Sequence, residues 1–224
     1  MTKIFGVIAL AGLATGANAA LVGLNAMVSL DGGMTWSESV NANVGATVTV
    51  GIFCEHDASV YGFGTGVARI RGNTLAGDSV ALVSGGRVAP FNFGNSPAGI
   101  FTNFADANTG FRIDAASDAG DSAAGGVSIT QRDPSSAGGA YVSAPSALGF
   151  LFTITVGNPF GRSIEIVLDQ VRQGSMAYHS TSSSTRGTNT TDWSVDGATI
   201  NVVPTPASLA LVGLGGLVAG RRRR

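Results

Sequence analysis

Few residues of this 224-residue chain could do chemistry, and they are scattered. It has two histidines, His56 and His179, and one cysteine, Cys54. A three-histidine zinc site is therefore excluded, and no intramolecular disulfide can form. Cys54, His56 and Asp57 are the one place where a nucleophile and a base lie close in sequence. Residues i and i+2 of a strand share a face, which would let the thiol meet the imidazole; the blander account is that polar residues mark a strand exit there. Glu165 and Asp169 have the composition of a glycosidase acid pair. Four residues apart on a strand they are separated by about 13 Å, beyond the range of about 5–10 Å that such a pair needs. No serine elbow, HExxH helix or phosphate-binding glycine loop occurs. The expectation is a protein that is not an enzyme.

Two binding constellations remain. Asp114, Asp118 and Asp121 are weak candidates for a metal, because calcium takes several hard oxygens from a flexible segment. Their spacing matches neither an EF-hand nor a glycine-rich calcium repeat, so the expected cofactor is none, with calcium the one alternative. Trp36, Trp193 and Tyr61 are weak candidates for a sugar-stacking platform. Large aromatics in a β-sandwich more often belong to its core, so exposure of Trp36 or Trp193 is the discriminator.

These residues must be positioned by strands. From 44 to 53, Val44, Ala46, Val48, Val50 and Ile52 alternate with Gly45, Thr47, Thr49, Gly51 and Phe53, a period of two. Residues 148–156 repeat it with Phe150, Phe152, Ile154 and Val156. Residues 162–168 follow after a turn at Gly157-Asn158-Pro159, and the pair reads as a hairpin. Weaker strands are expected at 20–30, 60–70, 79–83, 126–131, 176–180 and 191–203, the last with a turn at Asp196-Gly197. Residues 91–121 and 180–189 are too irregular for strands. The first carries five phenylalanines and is expected to pack over one end or edge as an ordered loop. The second is hydroxyl-rich, a candidate for O-glycosylation, and ends at Asn189-Thr190-Thr191, a match to the N-glycosylation pattern. Thirty-three glycines and the Ser/Thr/Asn/Asp clusters supply turn chemistry. The fold class is all-β: one antiparallel sandwich of roughly eight or nine strands over residues 20–202, immunoglobulin- or cohesin-like or a jelly roll. Gly45-Ala46-Thr47-Val48-Thr49-Val50, with Val60-Tyr61-Gly62-Phe63 later, resembles the opening of cohesin and related carbohydrate-associated sandwiches.

The ends carry a different message. Lys3 precedes an apolar stretch over 4–13 and the small-x-small signature Ala17-Asn18-Ala19. Residues 1–19 therefore read as a secretory signal helix cleaved before Ala20. At the other end Val203-Pro204-Thr205-Pro206 leads into an uncharged apolar run over 207–220 and then Arg221, Arg222, Arg223 and Arg224. Four adjacent cations, at roughly 2.5–3.5 kcal/mol each to bury, act as a membrane stop. As a helix the run spans about 21 Å, short of a bilayer core of about 30 Å, which suits a temporary anchor. With both ends set aside, eight arginines face all 14 acids, a net charge of −6, which argues against nucleic acid as a partner.

Signal peptide, short proline motif, apolar helix and terminal arginine cluster together resemble the PEP-CTERM sorting architecture. The resemblance covers 203–224 and the signal peptide, and Thr205 stands where the family's name-giving triplet has glutamate. It implies recognition of the tail by an exosortase-type membrane enzyme, a transient inner-membrane stage and delivery to the cell envelope, surface or medium. The expected function is structural or adhesive, with extracellular polysaccharide as a further partner. A secreted carbohydrate-binding module is the alternative, and a secreted hydrolase the least favoured.

Overall fold

The computed structural model describes residues 21–93, 97–104, 107–115, 126–136, 141–170, 176–183, 186–189 and 192–205. The signal peptide with Ala17, Ala19 and Ala20, the apolar run with Arg221, Arg222, Arg223 and Arg224, and also Pro206, Asp118 and Asp121 lie outside the described residues. Among the described residues no helix is long and apolar enough to cross a membrane.

The described chain is all-β and forms a sandwich of two sheets. Its strands are β1 (Val22–Ser29), β2 (Ser39–Asn43), β3 (Thr47–His56), β4 (Gly62–Gly72), β5 (Ser79–Arg87), β6 (Ala98–Phe104) and β7 (Ala107–Ala115). There follow β8 (Val127–Thr130), β9 (Ser146–Thr155), β10 (Arg162–Gln170), β11 (Met176–His179), β12 (Arg186–Asn189), β13 (Trp193–Asp196) and β14 (Ala198–Val203). The smaller sheet has the order β13-β1-β3-β9-β5. The larger runs β12-β11-β4-β10-β14-β2, with β7 and β8 also paired to β4 and β6 paired to β7.

Period-two alternation builds the core. Val22, Leu24, Ala26 and Val28 of β1, Val48, Val50, Ile52 and Cys54 of β3, and Phe150, Phe152 and Ile154 of β9 are buried. Against them lie Phe63 and Ile70 of β4, Phe111 and Ile113 of β7, Ile164, Ile166 and Leu168 of β10, and Ile200 and Val202 of β14, all in one apolar cluster. Burying both inner faces in one layer is what stabilises two half-apolar sheets.

Four expectations are corrected. β9 and β10 are not a hairpin: β9 pairs with β3 and β5, while β10 pairs with β4 and β14, so the chain crosses between sheets. Within 91–121 the strands β6 and β7 pair antiparallel, and β12 lies within 180–189. The polar strand β2 was not expected either, since Ser39, Asn41 and Asn43 have low strand propensity. Nor is the sandwich wholly antiparallel: β1 with β13 and β14 with β2 are parallel pairs. Such pairs need a long connection, and these strands come from distant parts of the chain. The predicted turn at Gly197 is where the chain leaves the smaller sheet after β13 and enters the larger one as β14.

The β9–β10 crossing is held by Asp78, whose carboxylate has no solvent access. It accepts hydrogen bonds from the Leu75 amide at 2.7 Å, the Gly157 amide at 2.6 Å and Arg162 Nη2 at 2.5 Å. Removing one member of a buried ion pair leaves the other charge uncompensated, at a cost of about 3–5 kcal/mol. Asp78→Ala is therefore expected to lower the unfolding midpoint by roughly 10 °C in a thermal melt. A shift no larger than that of an exposed control such as Glu38→Ala would remove Asp78 from this role.

Candidate functional site

The chemistry-bearing residues are sorted by the alternation of the strands that carry them. Cys54 points into the core, where burial pushes its thiol well above the usual range, so it is not a thiolate nucleophile. His56 ends β3 with Nδ1 3.0 Å from the Asp57 carbonyl and Nε2 3.3 Å from that of Ser143. The Asp57 carboxylate instead bonds to Ser59, whose side chain first and whose amide, at 2.8 Å, second hold its pKa below the ordinary value. The three residues adjacent in sequence thus face three different sets of partners. Of the acid pair, Glu165 accepts from Thr199 Oγ1 at 3.1 Å and Asp169 pairs with Arg71. Both belong to the polar outer face of the larger sheet.

Asp114 has no solvent access and lies between Arg69 Nε at 3.1 Å and Arg112 Nε at 3.3 Å. Two guanidinium groups already balance the charge that would attract a cation. Among the described residues no group of three or more His, Cys, Asp or Glu side chains could hold a metal.

The aromatic candidates occupy two regions. Trp36 lies on the outer face of the smaller sheet, half-buried, edge-on to Phe53 at 5.3 Å between ring centroids. A Cβ on Gly51 would stand 2.8 Å from its ring, so the indole covers that glycine. Its approach is tied down by Asp31, whose carboxylate accepts from Ser29 Oγ, the Met34 and Thr35 amides and Thr35 Oγ1. These hydrogen bonds, led by Ser29 and Thr35, hold Asp31 far below the ordinary carboxylate range. Trp193 is half-buried against the core and shares a register row with Val22 and His56. Neither tryptophan forms an open strip.

Tyr61 is different. It is 38% exposed and stacks on Tyr141 with centroids 5.6 Å apart and planes 25° from parallel. Tyr141 in turn meets the fully buried His179 edge-on at 5.6 Å. His179 Nδ1 is 3.5 Å from the Asp133 carboxylate, whose side chain is 41% exposed. Both histidines, 123 positions apart, thus contact the segment 141–145 at one end of the sandwich. Buried Gln131 fixes that segment, donating to the Val142 carbonyl at 3.0 Å and accepting its amide at 3.1 Å. Beside it, the Arg132 guanidinium lies 4.6 Å from the centre of the exposed Phe93 ring. Sequence reasoning found Tyr61 and missed Tyr141, Gln131 and Asp133. Tyr141 is a lone aromatic in a Gly/Ala/Ser stretch, and its one sequence signal is Gly62, where a Cβ would stand 2.3 Å from Tyr141 Oη.

No protein-family model matches the chain, and no curated protein matches it. Among solved structures, the sixth cohesin of scaffoldin B from Acetivibrio cellulolyticus, in complex with a dockerin, is similar over 83% of this chain and 99% of that one. The identity is 11% and the TM-score 0.43. A type III cohesin module from the cell-surface anchoring scaffoldin of Ruminococcus flavefaciens is similar over 83% of this chain and 89% of its own, at 10% identity and a TM-score of 0.39. Neither likeness bears on what this chain binds.

Cys54 should resist a thiol reagent at mildly alkaline pH until denaturant is added; rapid labelling of the folded protein would contradict its burial. Gly62→Ala should displace Tyr141 and cost about 1–3 kcal/mol by overpacking. Adding Tyr141→Phe should recover part of that loss in a double-mutant cycle, and strict additivity would show that the two residues do not touch.

Proposed function

We propose that this chain is an exported, non-catalytic surface protein whose β-sandwich has a structural or adhesive role and whose tail is a sorting signal. The observation that carries the reading is where the fold stops relative to the motif. β14 ends at Val203, the last buried apolar residue of the described core is Val202, and Pro204 and Thr205 follow outside the strand. A cut between 203 and 206 would remove no core residue and no ladder hydrogen bond of β14. Each proline fixes φ and lacks an N–H, so the segment cannot continue the strand and stays extended, as a protease cleft requires.

In this reading the signal peptide exports the chain, and the apolar run halts in the inner membrane with the four arginines inside. An exosortase-type enzyme processes the Val203-Pro204-Thr205-Pro206 segment. The acidic sandwich then passes to the envelope, surface or medium. The buried thiol of Cys54 and the outward, already partnered Glu165 and Asp169 weigh against the hydrolase alternative. The stacked Tyr61 and Tyr141 favour a second reading, a carbohydrate-binding module, which is compatible with the first.

Intact-mass measurement on protein recovered from native envelope and medium tests the sorting. The expected species begins at Ala20 and ends between Val203 and Pro206, and deletion of Arg221, Arg222, Arg223 and Arg224 abolishes the pause and redirects the protein. A native species that keeps Arg224, or a deletion variant processed and localised as before, would overturn the proposal.

A further inference from the structure

Tyr61, Tyr141, Asp133 and His179 are drawn together from four parts of the chain, and the fold commits resources to the arrangement. Gly62 carries no side chain where Tyr141 must lie, and the Gln131 amide ties the segment that carries Tyr141 to β4, bonding the Val142 backbone and donating to the Phe63 carbonyl. The Tyr61 amide donates to the His179 carbonyl at 2.8 Å, which locks the base of the outer ring to β11. The result is a supported aromatic plate: one face of Tyr61 is occupied by Tyr141, and the residue remains 38% exposed. Asp133 joins the same group through His179 Nδ1, at 3.5 Å.

We infer that this end of the sandwich is a saccharide-binding site, with the face of Tyr61 turned away from Tyr141 stacking on the apolar face of a pyranose in a neutral polysaccharide. Three chemistries compete for such a plate. A quaternary or primary ammonium is best held when several ring faces surround it. Here the second ring is stacked behind the first and offers it no second face. An acidic polymer meets a body of net charge −6. A neutral sugar ring has one flat C–H face and a rim of hydroxyls, and its flat face matches a single aromatic ring backed by a second. Rigid tyrosines also suit such contacts because little rotamer freedom is lost on binding. Trp36 and Trp193, the sequence's other aromatic candidates, are covered by Phe53 and by the core respectively and take no part.

The inference names a partner for the proposed surface role and rests on that reading only for the source of the sugar. Binding by the purified chain does not depend on sorting, so either idea can fail without the other. The test is native affinity electrophoresis of the full chain, solubilised in detergent, through gels containing hydroxyethylcellulose, dextran, alginate or the polymer shed by the producing cells. Retardation is expected in at least one neutral polymer. Tyr61→Ala should weaken it at least about tenfold, as truncation of an aromatic anchor does, without changing the thermal midpoint. Phe160→Ala, which removes an exposed ring near the β9–β10 corner, should migrate as the parent does. Retardation in none of the gels, retardation by alginate alone, or equal retardation of Tyr61→Ala and the parent would each overturn the assignment.

Discussion

Each of the two sheets has only the other against which to bury its inner face. Among the described residues there is no α-helix to cover either, and the only helical element is the 3-10 turn Pro134–Ser136. Every strand that contributes to the core must therefore keep its alternation in phase with its neighbours, because a slip of one residue would turn its apolar set to solvent. β3 and β9 satisfy this with one irregularity. Their register shifts between Ile52 and Phe53, so that Gly149 is bulged. A Cβ there would stand 2.5 Å from Cys54 Sγ, so only glycine lets the bulge close.

The same constraint explains the corners. A chain that must supply strands to both sheets has to cross between them, and each crossing takes backbone polar groups out of a ladder. At the β9–β10 crossing a buried carboxylate and a guanidinium stand in for the ladder. At Gly197 the backbone of β10 passes so close that a Cβ would lie 2.3 Å from the Ile166 carbonyl. The outer face of the larger sheet carries charge pairs such as Arg71 with Asp169, half-exposed and worth little to stability. They keep that face in water while the opposite face does the folding.

The end of the sandwich where β3 turns into β4 gathers polar and aromatic groups in one small region. There a histidine is fully buried, a glutamine bridges a loop and β4, and an aromatic residue is left partly in solvent. None of these is needed to cover the core. That concentration of polar and aromatic groups is what the inferred saccharide site rests on.

By itself the sequence determined the all-β class and the identity of the inner faces of β3 and β9, because strict alternation of β-branched and aromatic residues is a local property. It also carried the motif at 203–206, which is read from residue types alone. The partners of those strands were decided only in three dimensions. β9 and β10 sit next to each other in sequence and look like a hairpin, yet they pair into different sheets, and Asp78, some 80 positions upstream of Arg162, ties the crossing between them. The β6–β7 pair escaped notice because Asn, Gly and Ala dilute its pattern, although Phe111-Arg112-Ile113-Asp114 alternates and was the signal to follow. The candidate site was least legible of all. Its parts lie at 61, 131–133, 141 and 179; Tyr61 stood out as an aromatic, but the others carry no signal in their own segments, and a cluster that exists only through long-range pairing leaves no periodic trace in any one window of sequence.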